Sequence, residues 1–103
     1  MISVKVTYTV KPAFVDQNKH NINVFLADFK KLVTSNFLYN VFIEDDGLTF
    51  LHVSMYENES VQEQITNVPS FLKFQEERDA SGLDVSQKIE KLDLIGSSLS
   101  LLK

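Results

Sequence analysis

Apolar and polar residues alternate along several stretches of the chain, and this alternation predicts β-strands because successive strand side chains point to opposite faces. The first strand covers residues 2–10 and ends before a proline, which cannot donate to a strand ladder. Further strands are predicted at 37–44, 49–56 and 88–95. The turn Asp45-Asp46-Gly47 lies between the second and third strands, and its Asp-Gly pair is typical of a tight hairpin.

Two other stretches repeat apolar residues every three or four positions, which predicts amphipathic helices. The first helix is expected over residues 15–34, with Asp16 as its N-cap. The second is expected to begin after the cap residue Asn58, to restart at Pro69 and to end near residue 80. Gly82 suits the position just beyond a helix C-terminus. The run Glu76-Glu77-Arg78-Asp79 predicts a solvated helix face.

The order β-α-β-β-α-β predicts an α+β fold of the ferredoxin-like type, in one domain over residues 1–103. Its four-stranded antiparallel sheet carries both helices on one face. We expect the helices to cover the more apolar face, including Val4, Val6, Tyr8, Leu51, Val53 and Met55. The open face is then expected to carry a mixed set: Lys5, Thr7, Thr9, Leu38, Asn40, Phe42, Phe50, His52, Ser54, Tyr56, Lys91, Asp93 and Ile95.

An open sheet face of this mixed kind predicts an interface, because a face left to water is usually plainly polar. We therefore expect a homodimer that forms through the open sheet face. Two such sheets packed together bury the aromatic residues and enclose a partly polar pocket.

Composition narrows the classes of partner. The net charge of -4 and the pI near 5.0 argue against nucleic acid, which needs a basic surface. The chain has no cysteine, as is consistent with a reducing cytoplasm. Its first residues lack the apolar block of a signal peptide, and no run approaches the roughly 20 apolar residues of a membrane span. We expect a cytoplasmic protein without a membrane partner.

Several short motifs carry a family resemblance. Val10-Lys11-Pro12 ends the first strand, an aspartate-rich hairpin occupies 44–47, and VPSFLKFQEE forms part of the second helical region. Tyr56-Glu57-Asn58 ends the third strand. In these features nearly the whole chain resembles the dimeric α/β-barrel superfamily, and particularly its antibiotic-biosynthesis-monooxygenase-like branch, whose members often have tryptophan in the place of Tyr56.

The resemblance also has departures. The Glu-Pro-Gly that is common before the second strand is replaced by Thr34-Ser35-Asn36. Gln75 stands where haem-degrading relatives place an iron-ligating histidine, and Lys5 where they place asparagine. Haem degradation is therefore not expected. What the resemblance implies instead is the cofactor-free oxidation of electron-rich phenolic or anthrone-like molecules, with no cofactor bound.

His52 is the main catalytic candidate, because a histidine pKa near 6.5 suits a general base at neutral pH. Tyr56 and Asn40 are expected to orient the substrate. The pocket lining is expected from Phe42, Phe50, Phe74, Lys5 and Thr7. Alternatively, His52 only forms a hydrogen bond inside the dimer.

No metal site is expected from the two histidines, His20 and His52, and a hairpin turn explains Asp45-Asp46 better than metal binding. The expected function is that of a cofactor-independent monooxygenase-like enzyme for a small aromatic or quinol-type compound, in a pocket between sheet and helices. The alternative is a non-catalytic homodimer of the same fold, either structural or binding a small molecule.

Overall fold

The computed structural model describes residues 1–102. Strands β1 to β4 are Ile2–Thr9, Phe37–Ile43, Thr49–Tyr56 and Val85–Leu92, and helices α1 to α3 are Val15–Phe29, Glu59–Thr66 and Pro69–Ala80. The strands form one antiparallel sheet in the order β2-β3-β1-β4. Residues of all three helices pack with one face of this sheet in a common core. The predicted ferredoxin-like fold is confirmed, with the second helical region divided at Pro69.

The sheet register shows that the predicted faces of β3 were wrong. Tyr8 is paired with Phe50, and Val6 with His52. Paired residues share a face, so β3 turns its alternate set from Phe50 to Tyr56 toward the helices. Leu51 and its alternate neighbours lie on the open face instead. The prediction assigned the more apolar alternate set of β3 to the core, as a hydrophobic pattern suggests. In the structure that set lies on the face away from the helices, and the mixed set with His52 lies beneath them.

The fourth strand begins three residues earlier than the prediction, at Val85, and ends at Leu92. Backbone pairing with β1 fixes this position, since the Asp84 amide donates to the Thr9 carbonyl over 3.0 Å. An irregularity in the ladder follows between Thr7 and Thr9. The two faces of β4 are also the reverse of the prediction, because Leu92 is paired with Ser3 on the open face.

Helix α1 is shorter than predicted, ending at Phe29 and not near residue 34. A short 3-10 turn, Pro12–Phe14, precedes it, and Phe14 occupies the N-cap position. Asp16 is therefore one of the first helical residues and makes no capping hydrogen bond, contrary to the prediction. Its carboxylate still lies where the positive end of the helix dipole favours a negative charge.

The predicted turns and the other cap are confirmed. Gly47 has a φ of 70°, which suits glycine, and the Asp46 carboxylate accepts bonds from the amides of Leu48 and Thr49 at 2.8 and 2.9 Å. The Asn58 side chain accepts a hydrogen bond from the Val61 amide at 3.0 Å and caps α2. These local bonds fix both ends of β3, the strand that carries His52.

The core between sheet and helices is rich in aromatic rings. Phe25 of α1 is fully buried at its centre, with the rings of Phe71 and Phe74 at centroid distances of 5.0 and 4.9 Å. Both contacts are edge-to-face, an arrangement that aromatic quadrupoles favour. This packing holds α1 and α3 over the middle of the sheet, beside His52.

Candidate functional site

A cavity of about 170 Å³ lies between the sheet and α2 and α3, and we call it the sheet–helix cavity. Its apolar walls include Val4, Val6, Phe71, Phe74 and Ile89. Its polar lining includes Tyr39, His52, Ser54, Tyr56, Gln75 and Arg78. Apolar walls with a few convergent polar groups are typical of small-molecule sites.

A chain of buried hydrogen bonds ends at this cavity. The Asn18 amide nitrogen donates to the Tyr8 hydroxyl at 3.0 Å. That hydroxyl lies 2.8 Å from Nε2 of His52, and the Tyr39 hydroxyl lies 2.8 Å from Nδ1 of the same ring. Asn18 and Tyr8 are fully buried, whereas His52 and Tyr39 both line the cavity, and Tyr39 is the last member of the chain.

The bond from Asn18 is consistent with one direction of donation along this chain. Because the Tyr8 oxygen accepts from Asn18, the Tyr8 hydrogen is free to donate to Nε2 of His52. A neutral imidazole that accepts at Nε2 carries its hydrogen on Nδ1 and donates it to the oxygen of Tyr39. The hydroxyl hydrogen of Tyr39 is then not needed by His52, and a ligand in the cavity can receive it.

The electrostatics of the chain keep its members neutral. Burial, with a smaller contribution from the nearby Arg78 charge, lowers the pKa of His52 to about 3. Burial raises the pKa of Tyr39 well above its ordinary value, Tyr56 and Tyr8 add to the rise, and Arg78 opposes it. At neutral pH the site therefore contains an uncharged imidazole between two uncharged phenols.

Arg78 brings a positive charge to the cavity although its side chain is only 5% exposed. The guanidinium carbon lies 5.1 Å from the ring centroid of Tyr8 and 5.4 Å from that of Phe74. Among the cavity-lining residues in the described chain, Arg78 is the only charged one. The prediction of a solvated face for residues 76–79 is wrong at this position, because helix α3 turns Arg78 inward with Phe71 and Phe74.

The predicted site residues are divided between the two faces of the sheet. His52, Tyr56 and Phe74 line the sheet–helix cavity together. Phe50 is buried against the Tyr8 ring at 5.6 Å. The other four lie on the open face, each opposite Leu51 or Val53 of β3: Lys5, Thr7, Asn40 and Phe42.

Three polar residues of the site were not singled out from the sequence, namely Asn18, Tyr39 and Arg78. Helical spacing was the available signal for two of them. Arg78 follows Phe71 by seven positions and Phe74 by four, and Asn18 precedes the buried Phe25 by seven. Positions separated in this way share a helix face, so both residues lie on apolar stripes.

Comparison with solved structures identifies the fold. The chain superimposes on an antibiotic biosynthesis monooxygenase with a TM-score of 0.78 and 11% identity, over 93% of this chain and 100% of the other. A Nitrosomonas europaea protein provisionally given that name matches with a TM-score of 0.77 and 13% identity, over 93% and 100%. One from Deinococcus radiodurans, provisionally named likewise, gives 0.72 and 13%, with both chains fully covered.

These similarities place the chain in the antibiotic-biosynthesis-monooxygenase form of the ferredoxin-like fold, as the sequence resemblance predicted. At such identities they establish the fold alone. No protein-family model and no curated protein matches the chain. Within residues 1–102, no helix is long and apolar enough to cross a membrane, and no three acidic or histidine side chains cluster as metal ligands would.

Proposed function

We propose that the protein is a cofactor-independent monooxygenase that oxidises a small aromatic or quinol-type compound in the sheet–helix cavity. The hydrogen-bond chain that ends at Tyr39 is the observation that carries this proposal. It supplies a fixed donor at the wall of a largely apolar slot, which is where a phenolic or enolic oxygen of a flat ring can lie.

The reaction class needs little from the protein. An anthrone-type CH₂ group loses a proton to water, and its enolate passes electrons to O₂. One oxygen atom becomes the new carbonyl, and the other leaves as water with the two hydrogens of the CH₂ group. The role of Tyr39 is to donate a hydrogen bond to the enolate oxygen as negative charge develops there.

In this proposal His52 acts as a hydrogen-bond partner, because both of its nitrogens are engaged and its pKa is lowered to about 3 by burial. Such a group is a poor base at neutral pH. It holds the Tyr39 hydroxyl in place, while Tyr56 forms part of the cavity wall. His52→Ala is therefore expected to abolish turnover by releasing Tyr39, without loss of the dimer.

O₂ consumption with anthrone or dihydroxynaphthalene, in buffer without metals or cofactors, tests the proposal. We expect the wild type to exceed the uncatalysed rate, and Tyr39→Phe to lower turnover by roughly a hundredfold, the usual effect of removing one oxyanion donor. His20→Gln on the exposed face of α1 is the matched control. A wild-type rate equal to that of buffer alone would refute catalysis.

A second function, binding without catalysis, is favoured by one observation. The described cavity contains no carboxylate or lysine, and its histidine has no free nitrogen to accept a proton. A protein that binds an aromatic compound and returns it unchanged needs no such group. Equilibrium dialysis separates the two proposals, because a carrier retains the compound while O₂ uptake stays at the buffer rate.

We also propose that the protein is a homodimer through the open sheet face. Support comes from β3, one of the two central strands, which presents Leu51, Val53 and Met55 there. Phe42 and Leu92 on the same face are 57% and 40% exposed. Apolar residues exposed together on one sheet face are typical of a protein–protein interface, and self-association buries them.

A further inference from the structure

Arg78 is a buried cation whose guanidinium is paired with a carboxylate through its Nε alone in the described chain. Its Nε donates to the Asp79 carboxylate at 3.0 Å, and that carboxylate is 63% exposed to solvent. Within residues 1–102, no hydrogen bond joins the terminal nitrogens of Arg78 to another protein group. Buried charges are costly unless they are paired, and Arg78 lines the cavity, so these nitrogens are available to a ligand there.

The rings around Arg78 hold it without using those donors. Its guanidinium faces Tyr8 and Phe74 at 5.1 and 5.4 Å, within the range of cation–π attraction. Such contacts stabilise the charge through the faces of the rings, while the N–H groups in the guanidinium plane remain available. An arginine held in this way is suited to a planar anionic group, which can accept two parallel hydrogen bonds.

We propose that the sheet–helix cavity binds a flat aromatic ligand through an ionised oxygen, either a carboxylate or an acidic phenolate, that pairs with Arg78. This inference rests on the proposed function, since it names the substrate class of the same site. Phe71 and Phe74 provide apolar walls for the ring, and the Tyr39 hydroxyl provides a neutral donor for an oxygen on it.

The remaining lining of the cavity agrees with an anionic ligand. No acidic residue occurs among the described residues that line it, although the whole chain has 14 acidic and 10 basic side chains. The overall charge of -4 repels anions, so a preference for them has to come from Arg78 itself. If Arg78 serves only to brace Tyr8 and Phe74, the cavity has no preference for charge.

A matched pair of probes separates these two roles. The naphthoate anion and the neutral naphthamide have nearly the same shape, and their binding to the intact protein can be measured by calorimetry at low salt. We expect wild type to bind naphthoate roughly ten- to a hundredfold more tightly than naphthamide, the usual effect of a charge-assisted hydrogen bond. This comparison requires no variant and therefore no assumption about folding.

Variants then assign the preference to Arg78. Arg78→Gln is expected to lower the affinity for naphthoate to that for naphthamide, and Arg78→Lys to keep part of the preference. Lys73→Gln removes the same charge from the exposed side of α3 and is expected to leave the preference intact. Circular dichroism of each variant checks that the fold is retained.

Equal affinity of wild type for the two probes would overturn the proposal, as would a preference that survives in Arg78→Gln, or no binding of either probe. The test is independent of turnover. If naphthoate binds through Arg78 but no quinol is oxidised, the catalytic proposal fails and this one stands. If quinols are oxidised and naphthamide binds as tightly as naphthoate, this inference fails and catalysis stands.

Discussion

The buried His52 predicts that the folded protein loses stability as the pH falls below neutrality. Burial lowers its pKa in the folded state to about 3 from an ordinary value of 6.5. Above pH 6.5 the imidazole is neutral in both folded and unfolded chains, and its titration costs nothing. Below that value the unfolded chain gains a proton that the folded chain refuses, so unfolding becomes more favourable until the pH reaches the folded pKa.

The magnitude follows from linkage. For each pH unit below the unfolded pKa, protonation stabilises the unfolded chain relative to the folded one by about 1.4 kcal/mol. Near pH 4.5, about two pH units below the ordinary histidine value, the loss is therefore about 3 kcal/mol. A domain of this size is stable by roughly 5–15 kcal/mol, so this one group removes a substantial share.

Urea unfolding followed by circular dichroism, at a series of pH values between neutrality and about pH 4.5, measures this loss. The range avoids Asp28 and Asp46, whose pKa values are lowered by hydrogen bonds from Ser70 and Thr49 and whose contributions disappear only at lower pH. His52→Gln is expected to be less stable throughout and to lack this part of the pH dependence.

The exposed-histidine variant His20→Gln is the control and should keep the wild-type slope. The reasoning is refuted if wild type is equally stable across this range, or if His52→Gln loses as much free energy of unfolding as wild type does. The imidazole resonances of His52 in NMR give an independent check, since they should not titrate above about pH 4.

Two further predictions concern the hairpin and the open face. Gly47→Ala should lower the free energy of unfolding by about 1 kcal/mol, because Gly47 has a φ of 70°, which disfavours a side chain. An added Cβ meets no atom within 4 Å, so the backbone conformation is the source of this cost. Gly96→Ala, also with open space around it, should change little in the same urea assay. Val53→Lys in the middle of the open face should convert a dimer to a folded monomer in sedimentation velocity, and a wild type that sediments as a monomer would contradict the proposed interface.

The sequence predicted the element order, because that depends on local signals. The turn at Gly47, the cap at Asn58 and the helix restart at Pro69 each act within a few residues, and the structure has all three. The extent of α1 and the start of β4 could not be predicted in this way. They depend on pairing with distant residues, such as the bond from the Asp84 amide to Thr9.

The faces of β3 show a more specific limit of pattern reading. Two apolar surfaces compete in this strand, and the less polar of them, with Leu51 and Val53, faces away from the helices. A pattern can rank faces by hydrophobicity, but it cannot tell which face a helix covers and which another molecule covers. The wrong assignment is therefore informative, because a lone chain gains nothing by placing its more apolar face outward. The outward position of this apolar face is also the reason for proposing self-association.

Arg78 and Asn18 show why the candidate site was harder to predict than the fold. A hydrophobic pattern reads each polar residue on a helix as solvated, yet both residues lie on the stripes that also carry Phe74 and Phe25. Placing an arginine or an amide on such a stripe costs folding free energy, since the group loses water and has few partners in return. The Asn18 side-chain oxygen carries part of that penalty, being buried without a hydrogen-bond partner in the described chain. Sites of function are where a sequence departs from the pattern that stabilises its fold. Polar residues at helical spacing from buried aromatics are therefore the positions to test first for ligand binding.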